Sequence, residues 1–185
     1  MGPRRSDATK TTILAAARTR FAADGYERAT IRSIAAGAKI DPALVMRYFG
    51  SKEGLFAAAA EFDLQLPDLT RVPRESLGGV LVGHLLDRWE ADDGSMALLR
   101  AAASNAAAAE RVGAVLSEQV MPAIAAISRD AAETRARAGL IATQLLGLAL
   151  CRYVLCLPAV VALTRAQIIR RIAPNVQQVL TGDVT

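Results

Sequence analysis

The stretch TIRSIAAGAKIDPALVMRYFGSK, residues Thr30 to Lys52, carries the densest punctuation in the chain. Thr30 is placed to cap a short helix bearing Ile31, Ile34, Ala35 and Ala38, since a threonine oxygen can accept from the free N–H groups of a first turn. Asp41-Pro42 sets a second cap directly before a proline at the first helical position, opening another short helix through Leu44, Val45 and Phe49. Gly50-Ser51 stops that helix and caps the next. Two short helices joined by a tight turn have the spacing of a helix-turn-helix. In that motif the first helix crosses the phosphate backbone and the second enters a major groove about 12 Å wide. Ile34, Ala35, Ala38, Ile40, Val45 and Phe49 form the apolar seam that would set the angle between them, with Ala35 and Ala38 small where the axes approach.

Outward from this motif the pattern stays helical. Ile13, Leu14, Ala17 and Phe21 recur at helical spacing between Thr9 and Ala23, and Asp24-Gly25 ends that helix. Residues 1–8 are polar and uncapped and read as a flexible arm. Beyond the motif, Leu55, Ala59, Phe62 and Leu66 form one stripe running to Pro67, followed by a connector to Pro73. A helix over 73–90 carries Leu77, Leu81, Leu85 and Trp89, with Gly78, Gly79 and Gly83 opening space along it. Residues 96–128 are Ala-rich and helical, bent near Ser104-Asn105 and at Pro122. A long helix spans 130–157, and Thr164 with Gln167 forms a capping box ahead of the last one. The predicted fold is all-α, with about nine helices and no strand. It divides into residues 1–66 and a body of residues 67–185. The nearly continuous apolar run over 138–163 is interrupted by Gln144, Arg152 and Pro158. It reads as a core helix at a subunit interface and not as a membrane span.

Composition agrees. With 185 residues, 52% hydrophobic and 22% charged, the chain has the apolar content that disordered sequences lack. Two cysteines make no disulfide framework, and residues 1–20 contain no apolar leader core, so the expected location is the cytoplasm. The net charge of +4 is uneven: residues 1–52 hold ten Lys/Arg against four acids, and the remainder holds twelve arginines against fourteen acids. All the basic excess therefore surrounds the helix-turn-helix, which points to a polyanion as partner.

Lys10 to Phe56, KTTILAAARTRFAADGYERATIRSIAAGAKIDPALVMRYFGSKEGLF, resembles the DNA-binding part of the TetR family of bacterial transcriptional regulators. The likeness rests on Ile13-Leu14, Phe21 with Gly25-Tyr26, Thr30-Ile31 before Ile34-Ala35, and Phe49 through Leu55. It implies a helix-turn-helix head on a larger body that binds a small effector and dimerises. Two positions depart from the family pattern: Lys39 stands where glycine is common, and Met46 where tyrosine is usual. Nineteen arginines to three lysines and abundant alanine fit a GC-rich bacterial genome.

On this resemblance, candidate DNA contacts are Thr30, Arg32, Ser33, Lys39, Pro42, Ala43, Leu44, Met46, Arg47, Tyr48 and Lys52. Thr30 and Lys52 suit phosphates, and Arg32 suits a guanine edge. Pro42, Ala43 and Leu44 suit thymine methyls, while Arg47 and Tyr48 suit base edges or backbone. Arg4 and Arg5 suit a minor groove. Candidate effector contacts are His84, Gln119 and Gln144, with Trp89 as an aromatic wall, between helices 73–90, 105–128 and 131–157. Helices 131–157 and 165–180 are the candidate dimer interface. No His/Cys/Asp/Glu cluster has metal-ligand spacing, and no nucleophile–base set appears. The reading is therefore a non-enzymatic, cofactor-free, dimeric repressor of a near-palindromic operator, released by a small apolar effector. A DNA-binding regulator without small-molecule control, and a thiol-based redox sensor using Cys151 and Cys156, stand as alternatives.

Overall fold

The computed structural model describes residues 5–59, 63–91, 93–103, 105–128 and 131–182. The regular structure among its described residues is helical, without a strand. The helices are α1 (Arg5–Arg28), α2 (Ile31–Ala38), α3 (Pro42–Phe49), α4 (Lys52–Ala59), α5 (Leu77–Ala91), α6 (Asp93–Ala102), α7 (Ala106–Val115), α8 (Met121–Ala125), α9 (Ala131–Ala149), α10 (Pro158–Val161) and α11 (Arg165–Thr181). The chain makes two compact units, Met1–Phe62 with Asp92–Val112, and Asp63–Ala91 with Gly113–Thr185. The N-terminal unit thus takes in α6, which the sequence reading places in the body.

In the N-terminal unit α1 is the spine. Ile13, Ala17 and Phe21 on its inner face meet Ile34 and Ala35 of α2, Val45 of α3, Leu55, Phe56 and Ala59 of α4, and Ala97, Leu98 and Ala101 of α6. The Phe21 and Phe56 rings pack edge-on at 4.9 Å, and Tyr26 closes the cluster at 4.9 Å from Phe56. Gly25 breaks the helical geometry near the end of α1 at φ 75, a left-handed value open to glycine. The start of α1 corrects the sequence reading. Arg5 to Ala8, expected in a flexible arm, belong to the helix, whose first turn carries Asp7 at the positive end of the helix dipole. The α4 helix also ends earlier than expected: Phe62 lies outside the described residues, and Leu66 lies in non-helical chain.

In the other unit α5 packs directly on α11. Gly78 is where the two backbones touch: a Cβ there would collide with Ala173 O and Gln177, whose amide instead accepts from Gly78 N–H at 2.8 Å. Gly78 therefore serves close packing and opens no space; a Cβ at Gly83 would sit 3.7 Å from Ile169 on α11, and of these three α5 glycines only Gly79 faces open space. Arginines tie this unit through backbone carbonyls. Buried Arg137 donates to Val179 O and Gly182 O at the end of α11 (2.8 and 2.6 Å) and pairs with Glu133. Arg165 donates to Gly83 O at 2.7 Å and pairs with Asp87 at 2.8 Å.

Two widened π-turns were not foreseen. One, Leu116–Val120, joins α7 to α8 just before Pro122, whose ring and missing N–H do not fit a regular ladder. The other, Leu150–Val154, shortens the helix expected over 130–157. After it Cys156 turns left-handed at φ 51, and Arg152 gathers Val160 O, Val161 O and Leu163 O at the end of α10. Cys151 and Cys156 are free thiols. No helix among the described residues is long and apolar enough to cross a membrane.

Gly78→Ala is expected to destabilise the protein by about 1–3 kcal/mol through overpacking. Gly79→Ala, on the same helix with room for its methyl, is expected to stabilise by about 0.5–1 kcal/mol. Urea unfolding of the two variants beside the parent measures both.

Candidate nucleic-acid interface

Thr30 and Ser33 close a reciprocal capping box at the start of α2. Ser33 N–H donates to Thr30 Oγ1 and Thr30 N–H to Ser33 Oγ, both at 3.1 Å. The Ser33 hydroxyl gives its own proton to Thr30 O at 2.9 Å, whereas the exposed Thr30 hydroxyl only accepts and keeps a proton for an outside partner. Ser33 is half-buried and holds the cap; Thr30 presents it.

The turn to α3 is closed by Lys39, left-handed at φ 56 and ψ 44, with Ile40 N–H on Ala35 O at 2.9 Å. A lysine in this conformation, where glycine would carry no penalty, is strained by about 1–2 kcal/mol. Asp41 then caps α3, its carboxylate accepting from Ala43 N–H at 2.6 Å ahead of Pro42 in the first turn. Val45 is the buried anchor of α3, with Leu44, Tyr48 and Phe49 half-buried. The opposite face shows Pro42, Ala43, Met46 and Arg47 to solvent. Met46, a large apolar side chain 42% exposed, stands in the middle of that face.

Charge collects around the same face. Arg32, Lys39 and Arg47 are exposed and make no ion pair among the described residues. Lys52 is held differently: its ammonium donates to Glu27 O at 3.1 Å and lies 4.5 Å from the Tyr26 ring. The Tyr26 hydroxyl donates to Glu53 at 2.8 Å, so one cluster fixes the start of α4. Burial, then the Glu53 hydrogen bond and charge, push Tyr26 up to about 12. Backbone and side-chain hydrogen bonds hold Glu53 below its ordinary value. Arg4 lies outside the described residues, and Arg5 opens α1.

The four effector candidates belong to the other unit. His84 and Gln119 come together on one backbone segment. The His84 ring nitrogen lies 2.8 Å from Leu64 O, and Gln119 accepts from Leu64 N–H at 2.7 Å. Arg88 adds a bond to Asp63 O at 2.7 Å, so three side chains grip the connector that follows α4 in the sequence. Trp89 is buried edge-on to Tyr153 at 6.2 Å, and Gln144 is half-buried. An open groove of about 580 Å³ lies between α5 and α11, lined by Val80, Ile169, Arg170, Ala173 and Pro174 among others, and by none of the four. No metal-ligand cluster exists among the described residues.

Comparison with known proteins agrees with this geometry. Residues 13–59 match the family model described as bacterial regulatory proteins, tetR family, and residues 75–180 match the one described as tetracyclin repressor-like, C-terminal domain. A TetR-family regulator from Streptomyces coelicolor is 28% identical, with a TM-score of 0.63 over 98% of this chain and 99% of that one. A transcriptional regulator from a Rhodococcus species superimposes at 0.70 over 94% and 96% with 20% identity. The fatty acid degradation regulator FadR from Bacillus halodurans does so at 0.62 over 98% and 97% with 18% identity. At those two identities the likeness is one of fold. No curated protein matches the chain.

Lys39→Gly is expected to raise stability by about 1 kcal/mol by relieving the left-handed turn. An unchanged or lowered urea midpoint would show that the turn is unstrained.

Proposed function

This chain belongs to the TetR family of bacterial regulatory proteins, and we propose that it is a cytoplasmic, ligand-responsive repressor that binds a near-palindromic operator as a dimer. Residues 1–66 serve as the DNA-binding part and residues 67–185 as the effector-binding and dimerising part. The observation that carries the reading is the set of unpaired cations, Arg32, Lys39 and Arg47, on the exposed side of two capped short helices. A duplex offers those cations what the protein withholds, a regular array of anions.

The roles follow from side-chain chemistry. Thr30, with a proton to donate at a helix N-terminus, holds a phosphate. Arg32 reaches a guanine edge bidentately. Pro42, Ala43, Leu44 and Met46 offer apolar surface to thymine methyls, and Arg47 and Tyr48 flank them. Lys52, pre-set by Glu27 O and the Tyr26 ring, meets the backbone as a point charge. Ser33 acts through the capping box, as the support of Thr30.

Dimerisation through α9 and α11 is supported by the side chains α9 leaves open. Ala136, Leu140 and Thr143 are exposed along one stripe, Leu140 at 45%, and a Cβ at Gly139 or Gly147 would meet nothing within 4 Å. Small residues flanking a leucine allow two helices to approach closely, and a symmetric copy would bury what a monomer leaves wet. The effector is a small apolar molecule taken up among α5, the α7–α8 segment and α9. His84 and Gln119 stand at the connector where its binding could be felt. A hundredfold preference for the non-binding state would supply about 2.7 kcal/mol of coupling.

On a duplex selected from random sequence, Arg32→Ala is expected to cost about 1–3 kcal/mol and to relax one base position. Lys52→Ala is expected to weaken all sequences alike and to lower the salt slope by about one. Anisotropy titrations over a salt series separate the two, and identical losses on every duplex for both variants would contradict the division of roles.

A further inference from the structure

Lys10 belongs to no motif, yet the structure sets its ammonium 5.6 Å from the centroid of the Tyr48 ring, within cation–π range. Lys10 is exposed and has no ion pair among the described residues; the carboxylate of Asp7, one turn earlier on α1, accepts from Ser6 instead. Tyr48 is half-buried, with its ring packed on the core of the N-terminal unit and tilted against Phe49 at 6.3 Å. Its hydroxyl makes no hydrogen bond among the described residues. An ammonium from α1 and a tyrosine ring from the last turn of α3 thus lie side by side, and neither polar group has a hydrogen-bond or ion-pair partner among the described residues.

A phosphate near a helix C-terminus faces the negative end of the dipole, so a contact there requires a cation from elsewhere. Lys10 is the cation that the structure places beside the Tyr48 ring there.

We propose that Lys10 Nζ and Tyr48 Oη together grip one DNA backbone phosphate at the C-terminal end of α3, setting the angle at which that helix lies in the groove. The proposal rests on the reading of this chain as a DNA-binding regulator, and it adds a contact from α1 that the helix-turn-helix itself does not contain.

The test uses the full chain and a duplex selected from random sequence, with affinity measured from low to moderate salt. Lys10→Ala is expected to reduce the slope of log affinity against log salt by about 0.9 and to weaken binding about fivefold at 0.15 M salt, on selected and unrelated duplexes alike. Tyr48→Phe, which keeps the ring and removes the donor, should weaken binding with an unchanged slope. Lys10→Ala placed on a Tyr48→Leu background should lose less than on the parent, with thermal melts confirming that the variants are folded. A Lys10→Ala variant with the parent's slope and affinity, while Arg32→Ala and Lys52→Ala still lose binding, would overturn this site and leave the DNA-binding reading intact. A parent protein that enriches no duplex would overturn that reading and the site with it.

Discussion

An eight-residue helix is not stable alone in water, because nucleating a turn costs more than two turns of hydrogen bonds return. Both α2 and α3 are of that length. Their existence and orientation are therefore borrowed from what they stand on: Ile34, Ala35 and Val45 seated on Ile13, Ala17 and Phe21 of α1, with Phe56 of α4 closing the cluster. The exposed face of α3 can carry solvent-facing groups such as Met46 and Arg47 because one buried valine and two caps hold its other side. Any change that shifts α1 or α4 moves the reading surface as a rigid piece, and this makes a short helix a usable probe of a groove.

Charge is handled differently in the two units. Around α2 and α3 Arg32, Lys39 and Arg47 make no ion pair among the described residues, and Lys52 is held on a carbonyl and over a ring, near Glu53. In the other unit, arginines act inwardly. Arg137 and Arg152 bond to main-chain carbonyls at the ends of α11 and α10, placing delocalised charge at the negative ends of those helices, and Arg165 bonds to Gly83 O within α5. Arg18 and Arg100 fasten helices of the N-terminal unit in the same way, on Ala59 O and Ala22 O, whereas Arg32 and Arg47 on α2 and α3 face solvent.

Much of this was legible where structure is decided locally. Thr30, Asp41-Pro42, Gly50 and Thr164 mark helix ends within a few residues, because caps depend on side chain and backbone four positions apart at most. The left-handed turn at Lys39 followed from a glycine position filled by lysine. What depends on distant partners was not legible. The meeting of His84 and Gln119 on Leu64 joins three segments far apart in sequence, and the burial of Arg137 depends on the end of α11. Lys10 beside Tyr48 has no spacing that could announce it. The π-turns are departures from the period that sequence reading assumes. The early helix start at Arg5 lacked a capping residue by which to recognise it.

In the function proposed for this chain, two copies place their α3 helices in successive major grooves of one face of DNA. Sedimentation of the protein with its selected duplex, combined with a footprint of the same complex, tests this most directly. The prediction is two chains per duplex, on a two-fold-related site whose half-sites lie about 34–36 Å apart. A single chain bound to an asymmetric site would contradict it.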